Sequence, residues 1–319
     1  MTISPAQFGK AENVEQLYKL LEEVGVGPGW NKPQPSLWPR PKKNFLPAHF
    51  SYEIGRAALE AAGKFVSTEL AERRNLILFN PVTGNNYATA RTIIAAYQMV
   101  KGHETARSHR HTPNALRLVM EGGPNVYTVV DGKRIPMLPG DILLTPNWSW
   151  HGHNNESDDC AYWIDFLDAP LVHLLEPMFL EPFAASFVEK TELVDAGSPF
   201  RYAFSDVRKQ LENVPEKQPG LRDLLLGPKK LETLDLHVLR LDAAQRFFDT
   251  RTTANSVFAV IEGQGTSVID DREFHWRRGD VFVVPAWNTH ACQSEKPSYL
   301  LRVTDEPVMK SFSWLRHEA

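Results

Sequence analysis

Cysteine, net charge and long apolar runs are all scarce in this sequence of 319 residues. Cys160 and Cys292 are its two cysteines, which is too few for a disulfide framework and favours a reducing, cytoplasmic compartment. The 35 basic and 39 acidic residues give a net charge of −4, so we expect no nucleic-acid partner. The sequence has no apolar run long enough for a membrane helix, and its polar N-terminus lacks the pattern of a signal peptide.

The residues that are present favour short strands over long helices. There are 23 prolines and 19 glycines, and from about residue 74 onward brief apolar runs alternate with turn residues. Apolar residues at helical spacing predict a helix over 11–24, and helix-forming residues fill 52–71. The proline-rich stretch 27–47 lies between them and predicts an extended arm. A further helix is predicted near 202–212.

The β-rich part of the chain contains an internal repeat. One pattern of Gly-Asp, Pro, Trp and His occurs twice, with every residue displaced by 139 positions: Gly140, Asp141, Pro146, Trp148 and His151 match Gly279, Asp280, Pro285, Trp287 and His290. Several coincidences at a constant offset indicate two homologous β-domains. We therefore predict an arm over 1–75, a β-domain over 76–168, a linker with helices over 169–233, and a second β-domain with a C-terminal tail over 234–319.

Two His-x-His pairs are the main chemical signal in the first β-domain. His109 and His111 are two residues apart, which places both side chains on one face of a strand. His151 and His153 form a second pair, and imidazoles from two neighbouring strands can bind a transition metal. A single His-x-His pair on a strand is more often structural than metal-binding. The repeat favours chemistry, because the second domain replaces the first pair by threonines while it keeps the surrounding framework.

These residues resemble a known family. The spacing of the histidines, with the Gly and Pro between them, is similar to the two-part cupin signature. The stretches RSHRHTPNALRLVMEGG, YTVVDGKRIPMLPGDILLTPNWSWHGHNNE and YWIDFLDAPLV are similar to the gentisate 1,2-dioxygenase family, which includes salicylate and 1-hydroxy-2-naphthoate dioxygenases. The likeness covers most of residues 47–310. It implies a mainly β bicupin: two jelly-roll barrels with an N-terminal helical arm.

The resemblance also implies an Fe(II) cofactor. Its ligands would be His109, His111 and His151, and the second barrel would be metal-free. Ala115 and Leu116 stand where many other cupins add a glutamate ligand. A site with three protein ligands leaves open positions for a chelating substrate and dioxygen. The ligand set accepts Mn(II) as well.

Substrate contacts are implied for several further residues. Arg117 would bind the substrate carboxylate, although a structural ion pair with Asp165 or Glu121 is the alternative. His153 and Asp165 would assist catalysis, and either Arg73 or Arg74 would also reach the substrate, unless these residues have only structural roles. The partners would be a small aromatic acid and dioxygen, and the relatives suggest a homotetramer in which the arm packs against another subunit.

The expected reaction is cleavage of the ring of gentisate or a substituted salicylate, between the carbons that bear the carboxyl and hydroxyl groups. Three departures from the family pattern leave the ring substituents open: Phe166, which predicts a bulkier pocket wall, Ile94, and Pro113-Asn114. The alternatives are a cupin isomerase, another metal-dependent cupin enzyme, and a non-catalytic cupin that binds an aromatic acid.

Overall fold

The protein is mainly β-structure with a few short helices. The computed structural model describes residues 3–33, 35–71, 73–184, 192–193, 197–228 and 230–318. The chain divides into a small unit, Met1–Lys42, and a large unit, Lys43–Ala319. In the described residues, the helices are α1 (Pro5–Phe8), α2 (Val14–Glu23), α3 (Tyr52–Ala62), α4 (Thr68–Ala71), α5 (Ala169–Leu175), α6 (Phe204–Glu212) and α7 (Glu306–Ser311). No helix in this described part is long and apolar enough to cross a membrane.

The small N-terminal unit contains α1 and α2. Helix α2 begins after Asn13, whose side-chain oxygen accepts a hydrogen bond of 2.9 Å from the Gln16 N–H. This bond satisfies one of the backbone donors that a helix leaves unpaired at its start. The helix predicted over 11–24 is confirmed at Val14–Glu23, whereas the one predicted over 52–71 is divided into α3 and α4.

The first barrel consists of two facing six-stranded sheets, ordered β13-β8-β5-β10-β3-β2 and β11-β4-β9-β6-β7-β12. Its strands are β2 (Arg74–Ile77), β3 (Ile94–Val100), β4 (Thr105–His111), β5 (Ala115–Glu121), β6 (Gly123–Val130), β7 (Lys133–Met137), β8 (Ile142–Thr145), β9 (His151–Asn155), β10 (Ala161–Leu167), β11 (Leu180–Pro182), β12 (Glu192–Leu193) and β13 (Arg201–Tyr202). Buried side chains from both sheets, including Val119, Val130 and Trp163, form its core. Burial of this apolar surface stabilises the barrel.

The second barrel has a seven-stranded and a four-stranded sheet, ordered β1-β21-β18-β23-β16-β15-β14 and β17-β22-β19-β20. Its strands are β1 (Ala48–Phe50), β14 (Glu216–Gln218), β15 (Leu221–Leu225), β16 (Asp235–Leu241), β17 (Arg246–Asp249), β18 (Ser256–Glu262), β19 (Gln264–Ile269), β20 (Arg272–Arg277), β21 (Val281–Val284), β22 (His290–Ser294) and β23 (Ser298–Thr304). Phe258, Trp276 and Leu300 belong to the core between these sheets.

A third apolar core joins the two barrels. It contains Leu118 and Ile164 from the first barrel, Val257 and Leu301 from the second, and Tyr52 from α3. The larger sheet of the second barrel therefore packs on the β13-β8-β5-β10-β3-β2 sheet of the first. Central strands of these two sheets, such as β5 and β18, are buried on both faces, which explains their nearly continuous apolar sequences.

Two segments outside the predicted β-domains also supply strands. Residues 48–50, inside the predicted arm, form β1 and pair with β21 of the second barrel. Residues 169–233, the predicted linker, contribute β11 and β13 to the first barrel and β14 and β15 to the second. Helix α6 confirms the helix predicted near 202–212.

The repeated Gly-Asp turns hold equivalent positions in the two barrels. Gly140 has a φ of +87° and Gly279 one of +85°, which is a backbone region that favours glycine. A Cβ on Gly140 would lie 2.6 Å from Phe204, and one on Gly279 would lie 2.4 Å from Tyr52. Each turn therefore lets the start of a helix, α6 or α3, pack closely against its barrel.

Candidate metal centre

Three buried imidazoles meet at one edge of the first barrel. Strand β4 ends with His109 and His111, and the antiparallel strand β9 starts with His151, which pairs with His109. The ring centroids of His109 and His151 lie 4.5 Å apart, and those of His111 and His151 lie 4.8 Å apart. One potential ligand atom from each ring lies within 4.8 Å of the other two. This arrangement forms a three-histidine site that could hold a metal ion.

Backbone carbonyl groups determine which nitrogen of each ring is available. The Nδ1 of His111 contacts the Pro113 carbonyl at 2.8 Å, the Nδ1 of His151 contacts the Ser149 carbonyl at 3.0 Å, and the Nδ1 of His109 contacts the Arg107 carbonyl at 3.3 Å. A carbonyl only accepts hydrogen bonds, so each Nδ1 must carry the proton. Each neutral ring then offers its Nε2 lone pair to a metal, as expected for ligand histidines.

The buried environment favours the neutral forms of His111 and His151. Burial, followed by the neighbouring His109, lowers the pKa of His111 to about 4. Burial and the two nearby imidazoles also hold the pKa of His151 well below its usual value. Since a protonated imidazole cannot bind a metal, the site is ready for binding at neutral pH.

His153 lies beside this group with a different hydrogen-bonding pattern. Its Nδ1 lies 3.1 Å from Nη1 of Arg117, which can only donate, so Nδ1 accepts and Nε2 carries the proton. Burial and the Arg117 charge hold the pKa of His153 well below the usual range. The buried Nε2 has no hydrogen-bond partner among the described residues. His153 is therefore a neutral ring with an unused N–H donor.

Arg117 is held within the barrel by protein groups. Its Nε lies 3.3 Å from Asp165 Oδ1, and its terminal nitrogens bond Thr128 at 2.9 Å and Thr145 at 3.3 Å. The side chain is 1% exposed and does not line the nearby cavity. The ion pair with Asp165, which the sequence left as the alternative, is thus present. Asp165 in turn accepts a bond of 2.5 Å from Gln98.

A cavity of about 300 Å³ opens next to His109 and His111. Its other polar lining groups are Arg73, Asn75, Tyr87 and Gln98, and its apolar lining includes Ile77, Ile94, Leu167 and Leu180. The Nε of Arg73 donates to Gln98. A hydrogen-bonded chain thus runs from Arg73 through Gln98 and Asp165 to Arg117. Gln98 was not predicted, because a glutamine within an apolar strand gives no distinct signal.

The structure distinguishes the two adjacent arginines. Arg73 lines the cavity, whereas Arg74 is buried, bonds Glu104 and donates at 2.8 Å to the Val66 carbonyl. Phe166 was expected to form a bulky pocket wall, but it does not line this cavity. It lies in the core between the barrels, because successive strand residues point to opposite faces and Leu167 takes the cavity side.

Comparison with known proteins agrees with this geometry. Residues 96–167 match the cupin domain family model. The chain is 30% identical to gentisate 1,2 dioxygenase 1 of Aquipseudomonas alcaligenes over 95% of each sequence. It is also 30% identical to 5-aminosalicylate 1,2-dioxygenase of a Comamonas species, over 96% of this chain and 90% of the relative. The crystal structure of salicylate 1,2-dioxygenase from Pseudaminobacter salicylatoxidans superposes with a TM-score of 0.88 at 29% identity, covering 96% of this chain and 97% of that one.

The chain belongs to the gentisate and salicylate 1,2-dioxygenase family. Its fold is the bicupin fold that the family resemblance implied, and its relatives are ring-cleaving dioxygenases. As a member of this family of ring-cleaving dioxygenases, the protein carries a three-histidine metal site in the first barrel.

Proposed function

We propose that this protein binds Fe(II) through His109, His111 and His151 and opens the ring of gentisate or a substituted salicylate. The observation that carries the proposal is the tautomer of the three buried rings, whose Nδ1 atoms are held by backbone carbonyls. No carboxylate belongs to this group, so three neutral ligands leave room for an anionic chelating substrate. Fe(II), when bound, would bring the substrate and dioxygen together and mediate electron transfer between them.

The chain's own residues would orient the acid. Arg73 lines the cavity and would pair with the substrate carboxylate, because a guanidinium matches a carboxylate with two hydrogen bonds. Arg117 would add its positive charge from behind the wall and fix the ring of His153. His153 would donate its Nε2 proton in a hydrogen bond to an oxygen of the reactants. Ile94 and Leu167 would exclude water from the aromatic ring.

The overall reaction needs no external reductant. The bond between the carboxyl-bearing and hydroxyl-bearing ring carbons breaks, and both atoms of dioxygen enter the unsaturated oxo-dicarboxylate product. The Asp165 carboxylate bonds Gln98 of the cavity lining and also Arg117, so its proposed part is to position these two side chains. The second barrel is proposed to be metal-free, because Thr250 and Thr252 align with the first two histidines.

Dioxygen uptake tests the proposal. Protein loaded anaerobically with Fe(II) is supplied with gentisate, salicylate, 5-substituted salicylates and 1-hydroxy-2-naphthoate, and uptake is compared with loss of ring absorbance. We expect one iron per chain and matched losses with at least one acid. The His109→Ala variant should lose both iron and uptake, whereas His275→Ala, which changes an exposed histidine, should keep them.

Two outcomes would contradict this assignment. Iron-loaded protein that takes up no oxygen with any of these acids would favour an isomerase or a binding protein. Uptake that persists in His109→Ala, or full activity with Mn(II) but none with Fe(II), would disprove the assigned ligand set or metal.

A further inference from the structure

The second barrel contains a cavity of its own. It has a volume of about 340 Å³, close to that of the cavity beside the three histidines. Thr250, Thr252 and His290, which align with the three histidines of the first barrel, all line it. The repeat has therefore kept an internal space at the equivalent place, although two of the three imidazoles have been replaced.

Buried polar atoms in this cavity lack partners. His290 has a side chain only 1% exposed, and its Nε2 lies 3.1 Å from Ser267 Oγ. Its Nδ1 has no hydrogen bond among the described residues and lies 4.0 Å from Oδ2 of Asp249, another lining residue. The Oδ1 of Asn288, which also lines the cavity, is likewise without a partner in the described chain. Unpaired buried polar atoms are costly, which points to a polar ligand that bonds them.

Two cationic side chains lie on the cavity wall. Arg302 bonds Ser256 at 3.0 Å and Glu306 at 2.7 Å, and Lys217 bonds Asp223 at 2.8 Å. In the first barrel the cross-strand partner of Arg117 is Asp165, whereas in the second the partner of Arg302 is Phe258. Because Phe258 aligns with Arg117, Arg302 occupies the position of Asp165, and the second barrel has a cation where the first has a carboxylate.

Some of the carboxyl groups near these cations already interact with other groups of the protein. Glu306 accepts from Arg302 and from Lys310, at 3.0 Å. Burial raises the pKa of Asp249 above its usual value. Phe258, stacked on Phe282 with centroids 4.9 Å apart, provides an apolar surface for a ring or a carbon chain.

We propose that this cavity binds a small hydroxylated organic acid. Its carboxylate pairs with Lys217 and Arg302, and its hydroxyl hydrogen-bonds with Nδ1 of His290. A hydroxyl both donates and accepts, so it fits either tautomer of this ring. The site is separate from the three-histidine centre and requires neither metal nor ring cleavage.

The test counts ligand sites on the intact protein. Iron-loaded protein under strictly anaerobic conditions is titrated with 5-iodosalicylate by calorimetry, and crystals with the same acid are examined for the anomalous signal of iodine. We expect one iodine in the second barrel. Lys217→Ala and Arg302→Gln should weaken this binding at least about tenfold by removing a charge-assisted contact. Lys209→Ala, at an exposed lysine on α6, is the matched control and should bind like the unchanged protein.

The role of the hydroxyl is tested with 3-iodobenzoate, which should bind the second barrel about tenfold more weakly. Equal binding by Lys217→Ala and the unchanged protein, or iodine found only outside the second barrel, would overturn the proposal. Lys217 is half-exposed, so its variant decides the matter even if Arg302→Gln does not fold. Failure of the ring-cleavage proposal would leave this result intact, since the readout is the difference between variants at one located site.

Discussion

At the scale of the residue, the nearest neighbours of a side chain decide what it can do. His109, His111 and His151 have Nδ1 atoms facing backbone carbonyls, whereas the Nδ1 of His153 faces a guanidinium. The first three rings therefore present lone pairs from Nε2, and the fourth presents a proton. Two histidines of one His-x-His pair, His151 and His153, thus have opposite hydrogen-bonding characters.

Arg73 and Arg117 are expected to differ in what their removal affects. Arg73→Ala takes a cation from the cavity lining, so we expect KM for the acid to rise about 10- to 100-fold while the melting temperature changes little. Arg117→Met leaves Asp165 buried without its cation, which should destabilise the fold by about 3–5 kcal/mol. Steady-state oxygen uptake and thermal unfolding separate the two effects.

The conservative variants serve as controls for this pair. Arg73→Lys and Arg117→Lys keep the charge and should each recover part of the lost property. An unchanged KM in Arg73→Ala, together with a raised KM in a stably folded Arg117→Met, would reverse the assigned roles and make Arg117 the direct carboxylate ligand.

Protonation of His111 should make the metal-free protein less stable in acid. Burial lowers its pKa from 6.5 to about 4, so the unfolded chain takes up the proton first as the pH falls. The stability that this neutral ring provides is complete above about pH 6.5 and is lost as the pH falls towards 4. The loss from this residue between pH 7 and pH 5 is about 2 kcal/mol.

Urea unfolding of chelator-treated protein at these two pH values measures the effect. The same difference is measured in His111→Gln, which lacks the titrating group. Because His111 also helps to hold down the pKa of His151, the difference between the two proteins measures His111 together with its coupling to His151. Identical pH dependence in the two proteins would contradict the lowered pKa.

At the scale of the element, the strands with strong apolar patterns were predictable, and the short strands were not. Runs such as ALRLVM and SVFAVI are buried on both faces and correspond to β5 and β18. Strands β1 and β11 have only three residues each, and they exist because an edge of a barrel is available for pairing. Their partners are distant in the chain, so local sequence carries little information about them.

The candidate site likewise has features that the sequence predicted and features that it could not predict. The His-x-His spacing predicted which histidines meet, because a strand repeats every two residues. The choice between Arg73 and Arg74 depended on where β2 begins, a boundary that sequence patterns define poorly. The orientation of Phe166 depends on the same alternation: once Leu167 is known to face the cavity, Phe166 must point to the opposite side of β10, into the core between the barrels.

The Gly-Asp turn of the first barrel should tolerate no side chain at its glycine. Gly140→Ala places a Cβ 2.6 Å from Phe204 in a left-handed backbone conformation, so we expect a loss of about 2–3 kcal/mol. Gly123→Ala is the control, because no atom lies within 4 Å of the added Cβ. Calorimetric unfolding should show a much smaller change for it, and equal losses in the two variants would refute the close-packing argument.

At the scale of the whole molecule, two barrels with one ancestry share a large core and have different chemistry. The first keeps three imidazoles, and the second keeps a cavity with one imidazole and two cations. Because Leu118 and Ile164 pack in the same core as Val257 and Leu301, neither barrel buries its inner sheet without the other. We therefore expect the second barrel to be required for folding irrespective of what it binds.

The N-terminal unit is expected to contribute to assembly. Among its described residues, none is buried, and Trp30 and Leu37 are 74% and 86% exposed. Exposed apolar side chains of this size favour contact with another subunit, which supports the proposed homotetramer. Light scattering after size-exclusion chromatography should give about four times 36.1 kDa for the full chain. A variant that begins at Lys43 should keep the fold of the large unit and form a smaller assembly, whereas an unchanged subunit number would show that other surfaces hold the subunits together.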